Sequence, residues 1–198
     1  MDDDAANEIL CATHRALCTH GYADLTLKHI AAETDKSKAA IHYYYDSKAA
    51  LFTAFLGHLY EQYADRIESI SGDRPREHLQ SLLDELLATG DESPDEGIRT
   101  AMVEVRAQAP YDDAIRTQLT RFDEVLAEEI RTILQDGIDD GSFDESVDPE
   151  LTAEFLTATI SGAHTRHVAV GYSMDRVRDA TRQYVETRLV AETTKVTP

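Results

Sequence analysis

Apolar residues recur every three or four positions along nearly the whole chain, and this spacing constrains the fold more than any other feature. The clearest run is Leu51, Phe52, Phe55, Leu59, Tyr63 and Ile67. A period of 3.6 residues places such side chains on one face of an α-helix. Strands would need apolar and polar residues in alternation, and no convincing segment of that kind occurs. We therefore expect an all-α fold of about nine helices packed through their apolar faces.

Residues that favour helix ends divide this pattern into segments. Gly21 is expected to end the first helix, and Thr26, Ser37 and Ser47 are expected to begin the next three. Later helices are expected to begin at Pro75, Ser93-Pro94, Asp148-Pro149 and Ser173, and to end near Gly90, Pro110, Gly137–Gly141 and Gly171.

The charge of the chain is strongly acidic and unevenly distributed. The 198 residues carry a formal net charge of −19, which by itself argues against nucleic-acid binding. Residues 1–50, however, hold 5 basic and 8 acidic side chains, whereas residues 51–198 hold 14 and 30. Four of the five lysines lie between Lys28 and Lys48. Scarce lysine with abundant Asp and Glu is typical of proteins from salt-loving organisms, where screening weakens self-repulsion; an ordinary acidic cytosolic protein is the alternative.

Several features predict a cytoplasmic protein that does not enter membranes. The chain begins Met1-Asp2-Asp3-Asp4, the opposite of the basic start of a secretory signal. A membrane span needs about 20 predominantly apolar residues, and no such stretch is present. Cys11 and Cys18 are seven positions apart on one predicted helix, a rise of about 10 Å that excludes a disulfide. We interpret both as small core residues of a protein in a reducing compartment rather than as redox sensors.

The segment from Thr26 to Phe52 carries the functional signal. Two short predicted helices joined by Thr34-Asp35-Lys36 have the proportions of a helix-turn-helix motif. Hydroxyl groups and free backbone N–H groups at the helix starts offer contacts to phosphate. Lysines at positions 36, 38 and 48 add positive charge at the same edge, and His42 and Tyr43 can reach the DNA backbone or bases.

Residues 9–52 resemble the N-terminal domain of TetR-family transcriptional repressors. The matching positions are Ile9-Leu10, Gly21-Tyr22, Thr26, Ile30-Ala31, Ser37, Tyr44-Tyr45, Ser47-Lys48 and Leu51-Phe52. The resemblance implies a three-helix DNA-binding domain over residues 1–50 and a helical effector-binding and dimerisation domain over residues 51–198. It also implies a recognition helix at 38–44 and DNA contacts at Thr26, Lys28, Ser37, Lys38, Ala40, His42, Tyr43 and Lys48.

The turn of the motif departs from the family pattern, which usually reads Ala-Gly-Val. Asp35 tolerates the left-handed conformation that the turn needs. Lys36 replaces a half-buried apolar residue, and we expect it to turn outward and add a phosphate contact.

The function that the resemblance implies is a ligand-responsive repressor. It would bind palindromic double-stranded DNA as a homodimer, and a small hydrophobic or amphipathic effector would release it. It needs no cofactor, metal or catalytic residues, and none of the common catalytic motifs is present in the sequence. The alternatives are an activator or an effector-independent regulator of the same fold, or a helical carrier or enzyme.

Two sets of residues in the second domain are assigned to these roles. Expected walls of an apolar effector pocket are Tyr63, Leu83, Leu86, Met102, Arg106, Phe122, Phe155 and Thr159. The last two helices are expected to form the dimer interface, through the small residues Thr159, Ser161, Gly162 and Ala163 and through Val177, Ala180, Tyr184 and Leu189.

Other motifs keep two interpretations. The lysine cluster is either a phosphate-binding or a solvated face, and Tyr43-Tyr44-Tyr45 either stacks on bases or sends one ring to DNA while two pack inside. His164 and His167 have the spacing of metal ligands but lack an obvious third, which favours a polar contact in a pocket or an interface. Glu104 and Arg106 interrupt an apolar helix and lie either in the effector cavity or in solvent.

Overall fold

The computed structural model describes residues 2–88 and 96–191, and this part of the chain is almost entirely helical. Its nine α-helices are α1 (Asp2–Asp24), α2 (Leu27–Ala32), α3 (Lys38–Tyr44), α4 (Lys48–Ser69), α5 (Pro75–Leu86), α6 (Glu96–Gln108), α7 (Asp113–Asp139), α8 (Pro149–Val170) and α9 (Met174–Tyr184), followed by a π-helical turn, Val185–Leu189. The expected all-α fold is confirmed. Within the described ranges, no helix combines the length and apolar character needed to cross a bilayer.

Local hydrogen bonds explain why the first helices begin where the sequence predicts. The Thr26 hydroxyl oxygen accepts from His29 N–H at 3.2 Å and the Ser37 hydroxyl oxygen from Ala40 N–H at 3.1 Å. Ser47 accepts from Ala50 N–H at 3.0 Å in the same way. Each side chain satisfies an amide that the first turn of a helix leaves without a partner.

Helix ends agree less closely with the sequence pattern. α5 ends at Leu86, and the expected boundaries at Gly90 and at Ser93-Pro94 lie outside the described residues. The apolar spacing predicts a last helix that continues to Leu189, but α-helical geometry stops at Tyr184 and the chain finishes in the π-helical turn.

The chain divides into two compact units, and the division differs from the expected boundary at residue 50. The first unit extends to Tyr63 and includes α6 and α7 as far as Phe122. Its buried core joins the long helix α1 and the short helices α2 and α3 to α4, α6 and α7. The core residues are Ile9, Ala12, Ala16, Leu17, Leu25, Ile30, Ile41, Leu51, Phe52, Phe55, Leu56, Ala101, Val105, Ile115 and Leu119. The functional division into residues 1–50 and 51–198 stays a prediction.

The second unit contains the remainder of α4 and α7 together with α5, α8, α9 and the π-helical turn. Its core holds the leucines of α5 and the apolar residues of α7 and α8. Phe143 turns back onto α7, where its N–H donates to the Gly137 carbonyl at 2.8 Å, and it forms an antiparallel bridge with Val190. The connection between α7 and α8 is therefore part of the packed structure.

Candidate nucleic-acid interface

The predicted recognition helix α3 buries one side and exposes the other. Ile41 is fully buried in the core of the first unit, whereas the Tyr43 side chain is 81 % exposed. Ser37, Lys38 and His42 are also exposed, and Ala40 is half-buried. Tyr44 and Tyr45 pack against the core, which agrees with the interpretation that two of the three rings pack inside; a DNA contact by Tyr43 stays a prediction. The outer side of α3 thus presents hydroxyl, ammonium, imidazole and phenol groups in a short helix.

The other predicted DNA contacts lie on the helices beside α3. Thr26 and Lys28 are exposed at the start of α2. Lys48 is half-buried at the start of α4, with its ammonium 5.5 Å from the centre of the Tyr22 ring. Burial lowers the pKa of the Lys48 ammonium. The hydroxyls of Thr26 and Ser37 accept from backbone amides, and each still has its own proton to donate to a phosphate oxygen.

The expectation that Lys36 turns outward is wrong, because its side chain reaches toward α1; a phosphate contact by Lys36 stays a prediction. Its ammonium lies 3.0 Å from Glu8 Oε2 on α1 and 2.7 Å from Asp35 Oδ1. The Thr34 hydroxyl donates to the other Glu8 oxygen at 2.6 Å. Hydrogen bonds from Thr34 and then Lys36 lower the pKa of Glu8 to about 2, and its carboxylate partners raise the pKa of Lys36. The turn is held to α1 by charge where the family usually has an apolar residue.

A second charged contact holds α1 to the end of α2. The Arg15 guanidinium donates to the Glu33 carbonyl at 2.5 Å and lies 3.5 Å from the Glu33 carboxylate. Sequence reasoning missed Glu8 and Arg15, because no local pattern indicates which surface charges of α1 meet the turn of the motif.

Glu104 is half-buried and makes a contact that the sequence did not predict. Its Oε2 accepts a hydrogen bond from Tyr22 N–H at 2.6 Å, in the first unit and close to the helix-turn-helix. No local pattern in the sequence relates Glu104 to Tyr22. In the structure, Gly21 has a positive φ of 71°, a conformation that glycine adopts easily.

The predicted effector-pocket residues are divided between the two units. Tyr63, Met102, Arg106 and Phe122 belong to the first unit and Leu83, Leu86, Phe155 and Thr159 to the second. Tyr63 and Phe122 lie together, with ring centres 5.3 Å apart, and Tyr60 meets Phe122 edge-on at 5.6 Å. Leu83 and Leu86 are buried on α5, and Met102 and Arg106 are half-buried on α6.

Phe155 is not on an inward face of α8. Its side chain is 51 % exposed and packs against Tyr184 with ring centres 5.0 Å apart. Thr159, one turn later, is half-buried and donates to the Phe155 carbonyl at 2.8 Å. The apolar spacing predicted that Phe155 lines a pocket, but this residue lies on the outer side of the second unit.

The two histidines of α8 make separate contacts with backbone carbonyls. His164 donates to the Leu86 carbonyl at 2.8 Å, and His167 donates to the Tyr172 carbonyl at 2.9 Å. Over the described ranges, no group of three or more His, Cys, Asp or Glu side chains is arranged to hold a metal ion. The polar contacts of this pair thus stabilise α8 against α5 and the turn that follows α8.

Comparison with protein-family models gives two matches. Residues 9–55 match the model described as bacterial regulatory proteins of the tetR family, and residues 75–190 match that of the BetI-type transcriptional repressor C-terminal domain. The chain belongs to the TetR family of transcriptional regulators. Members of this family are DNA-binding regulators, and the exposed side of α3 stays the predicted DNA-reading surface.

Individual relatives support the same assignment over nearly the full chain. A TetR transcription regulator from Haloarcula marismortui is 40 % identical, with a TM-score of 0.87 over 94 % of this chain and 99 % of that one. The HTH-type transcriptional repressor AcnR of Corynebacterium glutamicum is 26 % identical over 87 % of this chain and 86 % of its own length. A transcriptional regulator from Saccharomonospora viridis, solved with choline, has the same fold, with 24 % identity and a TM-score of 0.82 over 96 % of this chain and 99 % of that one.

Proposed function

We propose that this TetR-family regulator is a repressor that binds a palindromic operator as a homodimer and is released by a small effector. The observation that carries the DNA-binding part is the outer side of α3, where Lys38, His42 and Tyr43 are exposed while Ile41 anchors the helix in the core. Repression, rather than activation, is supported by the repressor names of the C-terminal family model and of the Corynebacterium relative.

The outer side of α8 supports the homodimer. Leu151 and Phe155 are 64 % and 51 % exposed, and Ala158 and Gly162 continue the same side of the helix as exposed residues. Glu154 and Arg166 border this side, which is otherwise uncharged over about three turns of helix. Such a side is unusual on so acidic a chain, and a second copy is the partner that a two-fold operator requires. Two residues of the predicted interface, Ala163 and Leu189, are buried within their own chain. They would pack beneath the interface rather than contact the second copy.

An aromatic cluster in the first unit supports effector binding. Tyr60, Tyr63 and Phe122 pack ring against ring, and the Arg121 guanidinium lies 3.9 Å above the Tyr60 ring while donating to Gln118 Oε1 at 2.9 Å. Apolar walls with a few orienting polar groups are typical of effector sites. We assign the predicted residues Tyr63 and Phe122 to such a site, and Met102 and Arg106, half-buried on α6 of the same unit, stay its predicted members.

The distribution of charge supports a protein adapted to high salt. Residues 28–48 hold four of the five lysines, whereas residues 51–198 hold 14 basic and 30 acidic side chains. The Haloarcula relative agrees with this proposal.

The experiment that tests the function begins with selection of bound duplexes from fragments of genomic DNA, followed by footprinting. We expect protection of two half-sites about one helical turn apart. Affinity is then measured for the selected and a scrambled duplex across a salt series, with wild type and with Lys38→Ala and Lys48→Ala. Each lysine variant should weaken binding to both duplexes and reduce the salt slope by about 0.9 for each phosphate that is no longer neutralised. Tyr43→Ala should instead reduce the preference for the selected duplex.

Arg131→Ala is the matched control, because it removes a positive charge from α7 in the second unit, where Arg131 pairs with Glu128. Its affinity should equal that of wild type. Unchanged affinity in both lysine variants would contradict the assigned reading surface. A reporter gene placed behind the footprinted site distinguishes repression from activation, and release by a cell extract tests effector control.

A further inference from the structure

Glu104 on α6 forms a close contact with the turn at the end of α1. Gly21 adopts φ 71° and ψ 173°, which interrupts helical geometry. Beyond this break, Tyr22 N–H donates to Glu104 Oε2 at 2.6 Å. A Cβ atom at position 21 would lie 2.9 Å from the same carboxylate oxygen. The absence of a side chain at Gly21 therefore lets the carboxylate reach the backbone.

The Tyr22 side chain continues this contact to the predicted DNA surface. Its ring packs edge-on against Phe52, with centres 4.8 Å apart, and the Lys48 ammonium lies 5.5 Å from its centre. Burial, followed by the negative charge of Asp112, raises the pKa of the Tyr22 hydroxyl. Asp112 itself accepts from Ala114 N–H and Ile115 N–H at the start of α7. Tyr22 thus contacts α4 and α6, and the negative charge of Asp112 before α7 acts on its hydroxyl.

We infer that Glu104 is a positioning residue for DNA binding, which holds Tyr22 so that its ring keeps the Lys48 ammonium in place to meet a phosphate. The inference rests on the proposed function, because Lys48 is a DNA contact only under that proposal. Its consequence is regulatory. Because the acceptor is carried by α6, a displacement of α6 that lengthens this hydrogen bond lowers DNA affinity through Tyr22 and Lys48.

Substitutions of Glu104 distinguish a positioning role from a long-range effect of its charge, because the two predict opposite changes in DNA affinity. Glu104→Ala and Glu104→Gln both remove a negative charge, and long-range electrostatics alone would then strengthen binding to DNA. Glutamine keeps an oxygen that accepts from Tyr22 N–H, and alanine does not. We expect Glu104→Ala to weaken binding to the selected duplex about fivefold or more, on the scale of a coupling between sites. Glu104→Gln should stay within about twofold of wild type. Glu61→Ala, which removes an exposed carboxylate from α4, should bind as wild type or slightly more tightly.

A double-mutant cycle tests whether Glu104 acts through Lys48. In the Lys48→Ala background, Glu104→Ala should change affinity less than about twofold, because coupled residues are not additive. The inference would be overturned if the affinity loss of the double variant equalled the product of the losses of the two single variants, or if Glu104→Ala bound as tightly as wild type. The proposed function would stay intact in either case. Failure of wild type to bind any duplex would overturn both.

A measurement on the wild-type protein covers the case in which Glu104→Ala does not fold. Coupling is reciprocal, so DNA binding must also stabilise the α6 side of the contact. We expect slower amide hydrogen exchange at Tyr22 and around Glu104 when the selected duplex is bound. Unchanged exchange at both places, alongside protection of α3, would overturn the inference.

Discussion

The turn of the helix-turn-helix shows how single residues can replace an apolar contact with an ionic one. Lys36 reaches back to Glu8 on α1, and Thr34 donates to the same carboxylate. Both contacts favour the ionised form of Glu8, whose pKa falls to about 2 from an ordinary 4.5. Such a group stabilises the folded chain at pH values above about 4.5, and its contribution disappears as the pH falls toward 2.

Glu8→Gln should therefore lower the melting temperature most at neutral pH. The difference between wild type and the variant should shrink as the pH is lowered from 5 toward about 2, because wild type then also carries an uncharged Glu8. Thermal unfolding monitored by circular dichroism across this range measures it. Glu61→Gln, at an exposed site on α4, provides the control and should follow wild type. A difference between Glu8→Gln and wild type that does not vary with pH would contradict the assigned role.

In α7, an interior glycine allows an aromatic ring to lie directly against the helix backbone. Gly137 lies inside this helix, and a Cβ atom there would come within 2.1 Å of the Phe143 ring. Phe143 is buried and pairs with Val190, so the ring cannot move aside without disturbing the end of the described chain. The helix accepts the conformational cost of an interior glycine to admit this ring.

Gly137→Ala should destabilise the protein by about 1–3 kcal/mol, the usual cost of overpacking a core. Gly57→Ala is the matched control, since a Cβ atom at this position in α4 meets only Gln118 Oε1 at 3.9 Å. That substitution should stabilise the helix by about 0.5–1 kcal/mol, because alanine restricts the unfolded chain. Urea unfolding measures both variants. Equal stability of the two variants would show that packing of the Phe143 ring does not require glycine at position 137.

For the molecule as a whole, the outer side of α8 is the surface through which the proposed homodimer would form. Leu151 and Phe155 extend into solvent from a helix whose opposite side, with Leu156 and Ile160, fills the core of the second unit. A second copy that covers this side would place two reading heads in the symmetric arrangement that a palindrome needs.

Phe155→Glu should convert the proposed dimer into a monomer, because it removes an aromatic side chain from the interface and brings two like charges together there. Sedimentation velocity at micromolar concentration in high salt measures the assembly state. Tyr111→Glu is the control, since it changes an aromatic residue of the first unit that is 87 % exposed. It should leave the dimer intact. A wild-type monomer, or a dimer that survives Phe155→Glu, would contradict the proposed interface.

The sequence by itself determined the features that depend on near neighbours along the chain. Helical periodicity predicted the all-α fold, and the caps at Thr26 and Ser37 were predictable because each bonds an amide only three residues away. Local rules of this kind predict where the short helices of the predicted DNA-reading motif begin, but not how they are held against α1.

Only the tertiary structure decided which distant groups meet. Glu104 is 82 positions from Tyr22 and Lys36 is 28 positions from Glu8, and no local pattern relates the members of either pair. The same limit explains Phe155. Periodicity shows that α8 carries apolar residues on more than one side, but which side the chain covers depends on how α5, α7 and α9 pack around it. Local chemistry fixes where helices begin, whereas burial is a property of the packed whole and requires the positions of all its neighbours.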